Sequence, residues 1–231
     1  MKEKTDYEKI RVVIFDCDGV MFDSRKANAA YYNTILKHFG KDLLCDRDLE
    51  IVHMSTAGEA VDYLFRDDPR LAAAQDYRSR VDYTTFIPLM TMEPYLAEVL
   101  GVLREEGYGL AVATNRTTTI HPLLKIFKLH HYFDLVVSSL DVIQPKPHPE
   151  TVFKILKHFQ IKPHEALYVG DSVVDYEVTR KADIPFIAYK GPHLCSDCHI
   201  DDLRELLRLL ACGRERQRDV AGDGARGKHG V

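Results

Sequence analysis

The stretch Val12-Val13-Ile14-Phe15-Asp16-Cys17-Asp18-Gly19 decides the fold. Four consecutive apolar residues, mostly β-branched, suit a short strand buried on both faces. Two carboxylates follow at i and i+2, positions that regular strand geometry directs to one face, and Gly19 then lets the chain leave the strand sharply. Asp16 and Asp18 can therefore converge on one small volume at a strand end. Carboxylates held so close repel unless a cation or a working role compensates, and a divalent metal is the simplest answer.

A second acidic run, Val169-Gly170-Asp171-Ser172-Val173-Val174-Asp175, repeats the arrangement behind another apolar run. Around these motifs the chain alternates strand and helix signals. Val12 to Phe15, Leu110 to Ala113, Leu135 to Val137, Leu167 to Val169 and Phe186 to Ala188 read as buried parallel strands. Pro94 through Glu106 reads as a helix with Pro near its first turn and Gly107 at its end; Thr151 to His158 and Val173 to Ala182 read as two more. This is the rhythm of an α/β fold, a Rossmann-like doubly wound parallel sheet whose ligands collect beyond the carboxyl ends of the strands. Those ends carry Asp16, Thr114 and Asp171.

The segment from Arg25 to Leu89 breaks the rhythm. It is rich in helix formers and aromatic residues, with Tyr31, Ile35 and His38-Phe39, then Val61, Leu64 and Phe65, at helical spacing, so it predicts a small inserted helical bundle. A chain of 231 residues, 45% hydrophobic, can bury a substantial core. The formal charge of -4 gives no basic footprint, so no nucleic-acid partner is expected. Five cysteines outline no disulfide framework. The polar start Met1-Lys2-Glu3-Lys4 lacks a following signal-peptide core and no apolar run is long enough to span a bilayer, so a cytoplasmic protein without a membrane partner is expected. Oligomeric state is left open.

Taken in order, these residues resemble the haloacid dehalogenase superfamily of aspartate-nucleophile phosphotransferases. Asp16-Cys17-Asp18-Gly19-Val20 with Asp23-Ser24 is similar to that family's first motif, Val112-Ala113-Thr114-Asn115 to its second, Lys146 in Gln144-Pro145-Lys146-Pro147 to its third, and Gly170-Asp171-Ser172 with Asp175 to its fourth. The resemblance covers residues 10–210 and is closest to capped members such as phosphoglycolate phosphatases and β-phosphoglucomutases. It implies a catalytic core of residues 1–24 and 90–212 and a helical cap of residues 25–89, followed by a tail over 213–231.

The resemblance also distributes roles. Asp16 is expected as the nucleophile that forms an aspartyl phosphate, and Asp18 as the group that protonates the leaving oxygen and later takes a proton from water. Mg²⁺, a hard cation that keeps several waters, suits an all-oxygen site. Its ligands are expected from Asp16 and Asp171, with the backbone carbonyl of Asp18. Asp175 is open between binding the metal, holding a metal-bound water and orienting Lys146; Asp171 or Ser172 could also cap a helix. Lys146 offsets the repulsion between carboxylate and phosphate, where one opposite charge at about 4 Å contributes on the order of 4 kcal/mol before desolvation. Thr114, by hydroxyl and backbone amide, and Asn115 are expected to bind phosphoryl oxygens, while Arg116 is open between such a contact and solvent.

The resulting expectation is a Mg²⁺-dependent phosphatase acting on a small phosphorylated metabolite. A sugar-phosphate mutase and a non-catalytic phospholigand-binding protein are the alternatives. In the insertion, His53-Met54-Ser55-Thr56-Ala57-Gly58 is the substrate-contact candidate, through His53 and Ser55, although Ser55 or Thr56 before Glu59 equally suits a helix cap. Lys37 and Lys41 cannot be assigned the imine chemistry of phosphonate hydrolysis. Gly222 to Gly227 matches a dinucleotide fingerprint without the strand and helix it needs, and residues 213–231 lack the apolar residues to pack. Cys195, Cys198 and His199, with His193 nearby, carry metal-ligand chemistry but form only one close cluster, so a surface loop is preferred. Cys17 is expected to face the core.

Overall fold

The structure is a computed structural model, and it describes residues 5–211. The expectations for residues 212–231 lie outside it. Strand β1 (Val12–Phe15) is followed by a two-residue strand β2 (Phe22–Asp23) and four helices, α1 (Arg25–His38), α2 (Asp46–Met54), α3 (Ala57–Leu64) and α4 (Leu71–Arg80). A 3-10 turn, Tyr83–Leu89, leads to β3 (Thr91–Met92). Then come α5 (Leu96–Glu105), β4 (Gly109–Ala113), α6 (Ile120–Ile126), β5 (Leu135–Val137), α7 (Glu150–Phe159), β6 (Ala166–Gly170), α8 (Val173–Ala182), β7 (Phe186–Tyr189) and β8 (Cys198–Ile200), with a last helix, α9, over 204–211.

Six strands form one parallel sheet in the order β5-β4-β1-β6-β7-β8. Alternate residues serve opposite faces, so both are apolar. Val13 and Phe15 join Leu110, Val112, Leu167 and Val169 beneath α5, α6 and α9, whereas Val12 and Ile14 join Ala111, Ala113, Ala166 and Tyr168 beneath α7 and α8. Phe15 stands opposite Val112 on one side and Val169 on the other. That register brings the residues after β1, β4 and β6 to one edge of the sheet.

The later helices begin where backbone geometry permits. Tyr95, in the left-handed region at φ 62, precedes α5, which therefore starts later than Pro94, and Gly107 at φ 80 follows its end. The segment preferred as a surface loop is corrected in part: Cys198–Ile200 pairs with β7 as the edge strand β8. Only Ile200 of its three residues is buried, so no alternation betrays it in the sequence.

Helices α1 to α4 have a core of their own, built from Tyr31, Tyr32, Ile35, Leu36, Val52, Val61 and Phe65. His38 stacks on Tyr77 with ring centroids 3.7 Å apart. The two chain crossings into this bundle are hydrogen-bonded to each other, since β2 and β3 pair antiparallel, Phe22 with Met92 and Asp23 with Thr91. Just after β3, the Glu93 backbone N–H donates to the Met21 carbonyl at 2.9 Å. The Glu93 carboxylate accepts from Tyr189 Oη and Lys190 Nζ, both at 2.7 Å, at the end of β7. Ile35 is wholly enclosed in the helical cluster. Ile35→Ala is expected to destabilise the bundle by about 2–5 kcal/mol, read from urea unfolding with near-ultraviolet circular dichroism.

Candidate active site

Asp16 directly follows β1, and its backbone N–H still donates to Val169 O at 3.0 Å, which fixes the start of the acidic loop against β6. Its Oδ1 accepts a hydrogen bond from Lys146 Nζ at 2.7 Å. The same ammonium donates to Asp175 Oδ1 at 2.7 Å and to Tyr168 Oη at 3.1 Å, so its three donors meet three acceptors. Burial opposes the charge on Lys146, yet the two carboxylates outweigh it and hold the ammonium pKa well above its ordinary value. Asn115 sets the backbone of this lysine: its Nδ2 donates to Lys146 O, and its Oδ1 accepts from Lys146 N, each at 3.0 Å.

Asp175, fully buried in the first turn of α8, also takes hydrogen bonds on Oδ2 from Ser172 N at 3.2 Å and Ser172 Oγ at 2.6 Å. Ser172 in turn caps the helix by accepting from Asp175 N. Of the three roles left open for Asp175, the one this geometry displays is orienting Lys146. Asp171 is different, because no described residue donates a hydrogen bond to its carboxylate. Burial, then the neighbouring Asp175 and Asp16, push its pKa up to about 9. Burial, then Asp175, push Asp16 up to about 7 despite Lys146.

One carboxylate oxygen from each of Asp16, Asp171 and Asp175 lies within 4.8 Å of the others. Three acids against one ammonium, with Asp171 lacking any donor, fit a hard divalent cation with oxygen ligands. Gly19 makes room for this cluster. Its φ is +79, and a Cβ there would stand 1.9 Å from Asp171 Oδ2.

Asp18 faces the other way, toward the helical bundle. Arg116 grips it with two hydrogen bonds, Nε to Oδ2 at 2.8 Å and Nη2 to Oδ1 at 2.6 Å, and Ser24 Oγ donates to Oδ1 as well. Burial would raise its pKa, but Arg116 and Ser24 overcome that and lower it. The network continues into the bundle. Arg116 Nη2 reaches Tyr83 Oη at 3.5 Å, Tyr83 donates to Asn28 Oδ1 at 2.5 Å, and Asn28 Nδ2 lies 3.0 Å from His53 Nδ1. Burial lowers the His53 pKa despite Asp18 nearby, so the ring is neutral around pH 7. A cavity of about 500 Å³ lies between sheet edge and bundle, bounded by Asp16, Asp18, Thr114, Asn115, Lys146 and Asp171 below and by His53, Ser55, Arg78 and Tyr83 above.

The sequence pattern described as haloacid dehalogenase-like hydrolase matches residues 13–189. The chain belongs to this family. It is 31% identical to a phosphoglycolate phosphatase of Nitrosospira multiformis over 185 residues, covering 75% of this chain and 80% of that one. A solved subfamily IA hydrolase from Geobacter sulfurreducens shares 40% identity and a TM-score of 0.75, covering 87% of this chain and 97% of that one. The structure of CbbY from Rhodobacter sphaeroides, in complex with phosphate, shares the fold at a TM-score of 0.72 and 20% identity, covering 87% and 99% of the two chains.

Within this hydrolase, several residues sit differently from their sequence-based expectations. The Thr114 backbone N–H, expected to meet phosphate, instead donates to Val137 O at 3.0 Å as part of the sheet ladder. Its hydroxyl accepts from Arg116 N at 3.0 Å and can still donate into the cavity. The Asn115 side chain is committed to Lys146, which leaves its backbone N–H as the group without a protein acceptor among the described residues. Ser55 Oγ donates to Ile51 O at 2.8 Å, and Thr56 forms the capping box with Glu59 at the start of α3, so both cavity-lining residues also serve local helix structure.

Arg116, left open in the sequence, is buried at the centre of the site. Tyr168 was read only as part of an apolar run, yet its hydroxyl completes the lysine cage. The signals for Asn28 and Tyr83 were equally slight: a polar residue one helical turn after Ser24, and a tyrosine near the return crossing. Lys37 and Lys41 do not line the cavity, and Lys41 pairs with Asp68. Cys195, Cys198 and His199 form no cluster suited to a metal among the described residues; His199 Nε2 lies 2.8 Å from Leu194 O instead. Cys17 is fully buried in the core, as alternation requires. No described helix is long and apolar enough to cross a membrane.

The raised acids have a stability signature. With folded values of about 7 and about 9 for Asp16 and Asp171, the metal-free folded protein binds more protons than the unfolded chain from about pH 4 upward, so stability falls as pH rises through that window. Metal-free Asp171→Asn is expected to gain stability relative to the parent as pH increases from about 5 to about 9. Urea midpoints measured across this range check it; parallel pH dependences would contradict the charge surplus assigned to Asp171.

Proposed function

We propose that this hydrolase is a Mg²⁺-dependent phosphatase that releases phosphate from a small phosphorylated metabolite through an aspartyl phosphate on Asp16. The observation that carries the reading is the Lys146 ammonium held between Asp16 and Asp175 beside the donor-poor Asp171, at the floor of a cavity. With a divalent cation offsetting the surplus of acids, that arrangement would receive a group which arrives with negative charge of its own. The relative named phosphoglycolate phosphatase and the phosphate complex of CbbY support a phosphoryl substrate, with phosphoglycolate itself the first candidate. Residues 1–24 and 90–212 act as the catalytic core in this reading, and residues 25–89 as a cap. The free cysteines Cys17, Cys45, Cys195 and Cys198 agree with a cytoplasmic setting.

Bound Mg²⁺ would be held by Asp16 and Asp171, with the backbone carbonyl of Asp18, and would supply the positive charge that keeps these acids ionised. The free Asp16 oxygen attacks phosphorus, and the bond to the leaving oxygen breaks as that oxygen takes a proton from Asp18. The Thr114 hydroxyl and the Asn115 backbone N–H face the transferring oxygens, and Lys146, whose three donors are already met, acts on them through its charge and its hold on Asp16. In the second half, Asp18 removes a proton from water as the water attacks the same phosphorus, and the phosphorus–Asp16 bond breaks to restore the carboxylate. The Arg116 clamp favours ionised Asp18, the form needed for this second half. The first half needs the proton on Asp18, so the clamp has to loosen once in each turnover.

Rapid-quench labelling with a ³²P-phosphomonoester separates the roles. Asp16→Asn is expected to form no labelled protein, while Asp18→Asn retains it with turnover reduced by about 10²- to 10⁴-fold. Labelling of Asp16→Asn at the parental level would overturn the assignment of the nucleophile.

A further inference from the structure

Cations that line the cavity are paired with acids in all but one arginine. Lys146 is bound by Asp16 and Asp175, Arg116 by Asp18, and Arg80 by Asp76. Arg78, in the last turn of α4, lines the cavity with no carboxylate within ion-pair distance among the described residues. Elsewhere in the bundle Arg25, Arg66 and Arg70 each have one, and Arg47, which has none among the described residues, does not line the cavity.

The Arg78 side chain is held. Its Nε donates to Gln75 Oε1 at 2.8 Å, and Gln75 is anchored to α3 by Nε2 bonds to Gly58 O at 2.9 Å and Asp62 Oδ1 at 2.7 Å. The Arg78 carbonyl accepts from Tyr31 Oη at 3.3 Å, which ties the end of α4 to α1. A compensating role at the helix C-terminus would need neither this bracing nor a place on the cavity wall. Asp82, the acid nearest in sequence on that wall, accepts from Thr84 N at 2.9 Å and Thr84 Oγ1 at 2.7 Å. The guanidinium thus keeps two terminal nitrogens, a planar fork without a protein acceptor among the described residues, on the wall of the cavity that Asp16 also lines.

Resting on the phosphatase reading above, we infer that Arg78 seats a second anionic group at the far end of the substrate's leaving group, a carboxylate or a second phosphate, and so selects anionic phosphomonoesters over neutral ones. Carboxylate and phosphate share the chemistry that an arginine fork reads, and the two sources are separated by matched probes. The first pair is phosphoglycolate and its neutral counterpart 2-hydroxyethyl phosphate; the second is propane-1,3-diol bisphosphate and 3-hydroxypropyl phosphate.

kcat/KM is measured for both pairs in the parent, Arg78→Gln and Arg78→Lys, with an aryl phosphate as control. The parent is expected to prefer the anionic member of at least one pair, and Arg78→Gln to lower kcat/KM for that member by about 10- to 50-fold against about threefold or less for the neutral one. Arg78→Lys should recover part of the loss, because it keeps the charge without the fork. A preference confined to one pair identifies carboxylate or phosphate. Equal effects on anionic and neutral members, or no preference in either pair, overturn the proposal. Failure of the parent to hydrolyse the aryl phosphate and all four probes would count against the phosphatase reading instead. Calorimetric affinities of the same pairs for Asp16→Asn, with and without Arg78→Gln, then decide the Arg78 subsite without turnover.

Discussion

The site depends on one ammonium group. Lys146 Nζ joins β1, through Asp16, to α8, through Asp175, and rests on the Tyr168 hydroxyl rising from β6. Taking the charges of this trio out of water is costly and is offset only when every donor and acceptor is well placed. Sheet register places Asp16, the capping box of α8 places Asp175, and the paired amide of Asn115 places the lysine backbone. Removing any one of these supports would leave an unbalanced charge in the interior. The lysine side of the site is therefore organised by the protein's own groups, whereas the Asp171 carboxyl meets no donor among the described residues and stays protonated around neutral pH until a cation offsets its charge.

A second chain of contacts runs from Asp18 through Arg116 and Tyr83 to Asn28 and His53. It crosses from the sheet edge to the helical bundle. The hydrogen bonds that set the protonation of Asp18 thus depend on groups belonging to both parts of the molecule. A change in the position of the bundle would alter the surroundings of the acid without moving the nucleophile, whose contacts lie wholly within the sheet and its adjoining loops.

The sheet was legible because β1, β4 and β6 are buried on both faces and read as unbroken apolar runs. The acidic motifs were legible because carboxylates after such runs have few structural reasons to be there. Helix α8 starts where expected because Ser172 and Asp175 form a local cap. By contrast β8 buries a single residue and β2 and β3 have two residues each, too short for any periodicity to register. Arg116 and Arg78 could not be placed because a cation in a polar stretch reads the same whether it faces solvent or a cavity; only the folded arrangement supplies or withholds its acid. The tyrosine in Leu167-Tyr168-Val169 illustrates a different limit, since an apolar run hides where a ring carries its hydroxyl.

The β2–β3 ribbon gives the helical insertion a topological property. Since its entry and exit strands are hydrogen-bonded neighbours, everything between them forms a loop closed at its own base. Loosening the bundle adds little slack to the sheet, because the ribbon and the Glu93 anchor to Tyr189 and Lys190 hold both crossings in place. Helices could be lengthened, shortened or exchanged within that loop while the strand ends kept their register. The molecule thus separates into a part whose geometry tolerates no drift and a part that evolution can rewrite, joined at a seam only two residues wide on each strand.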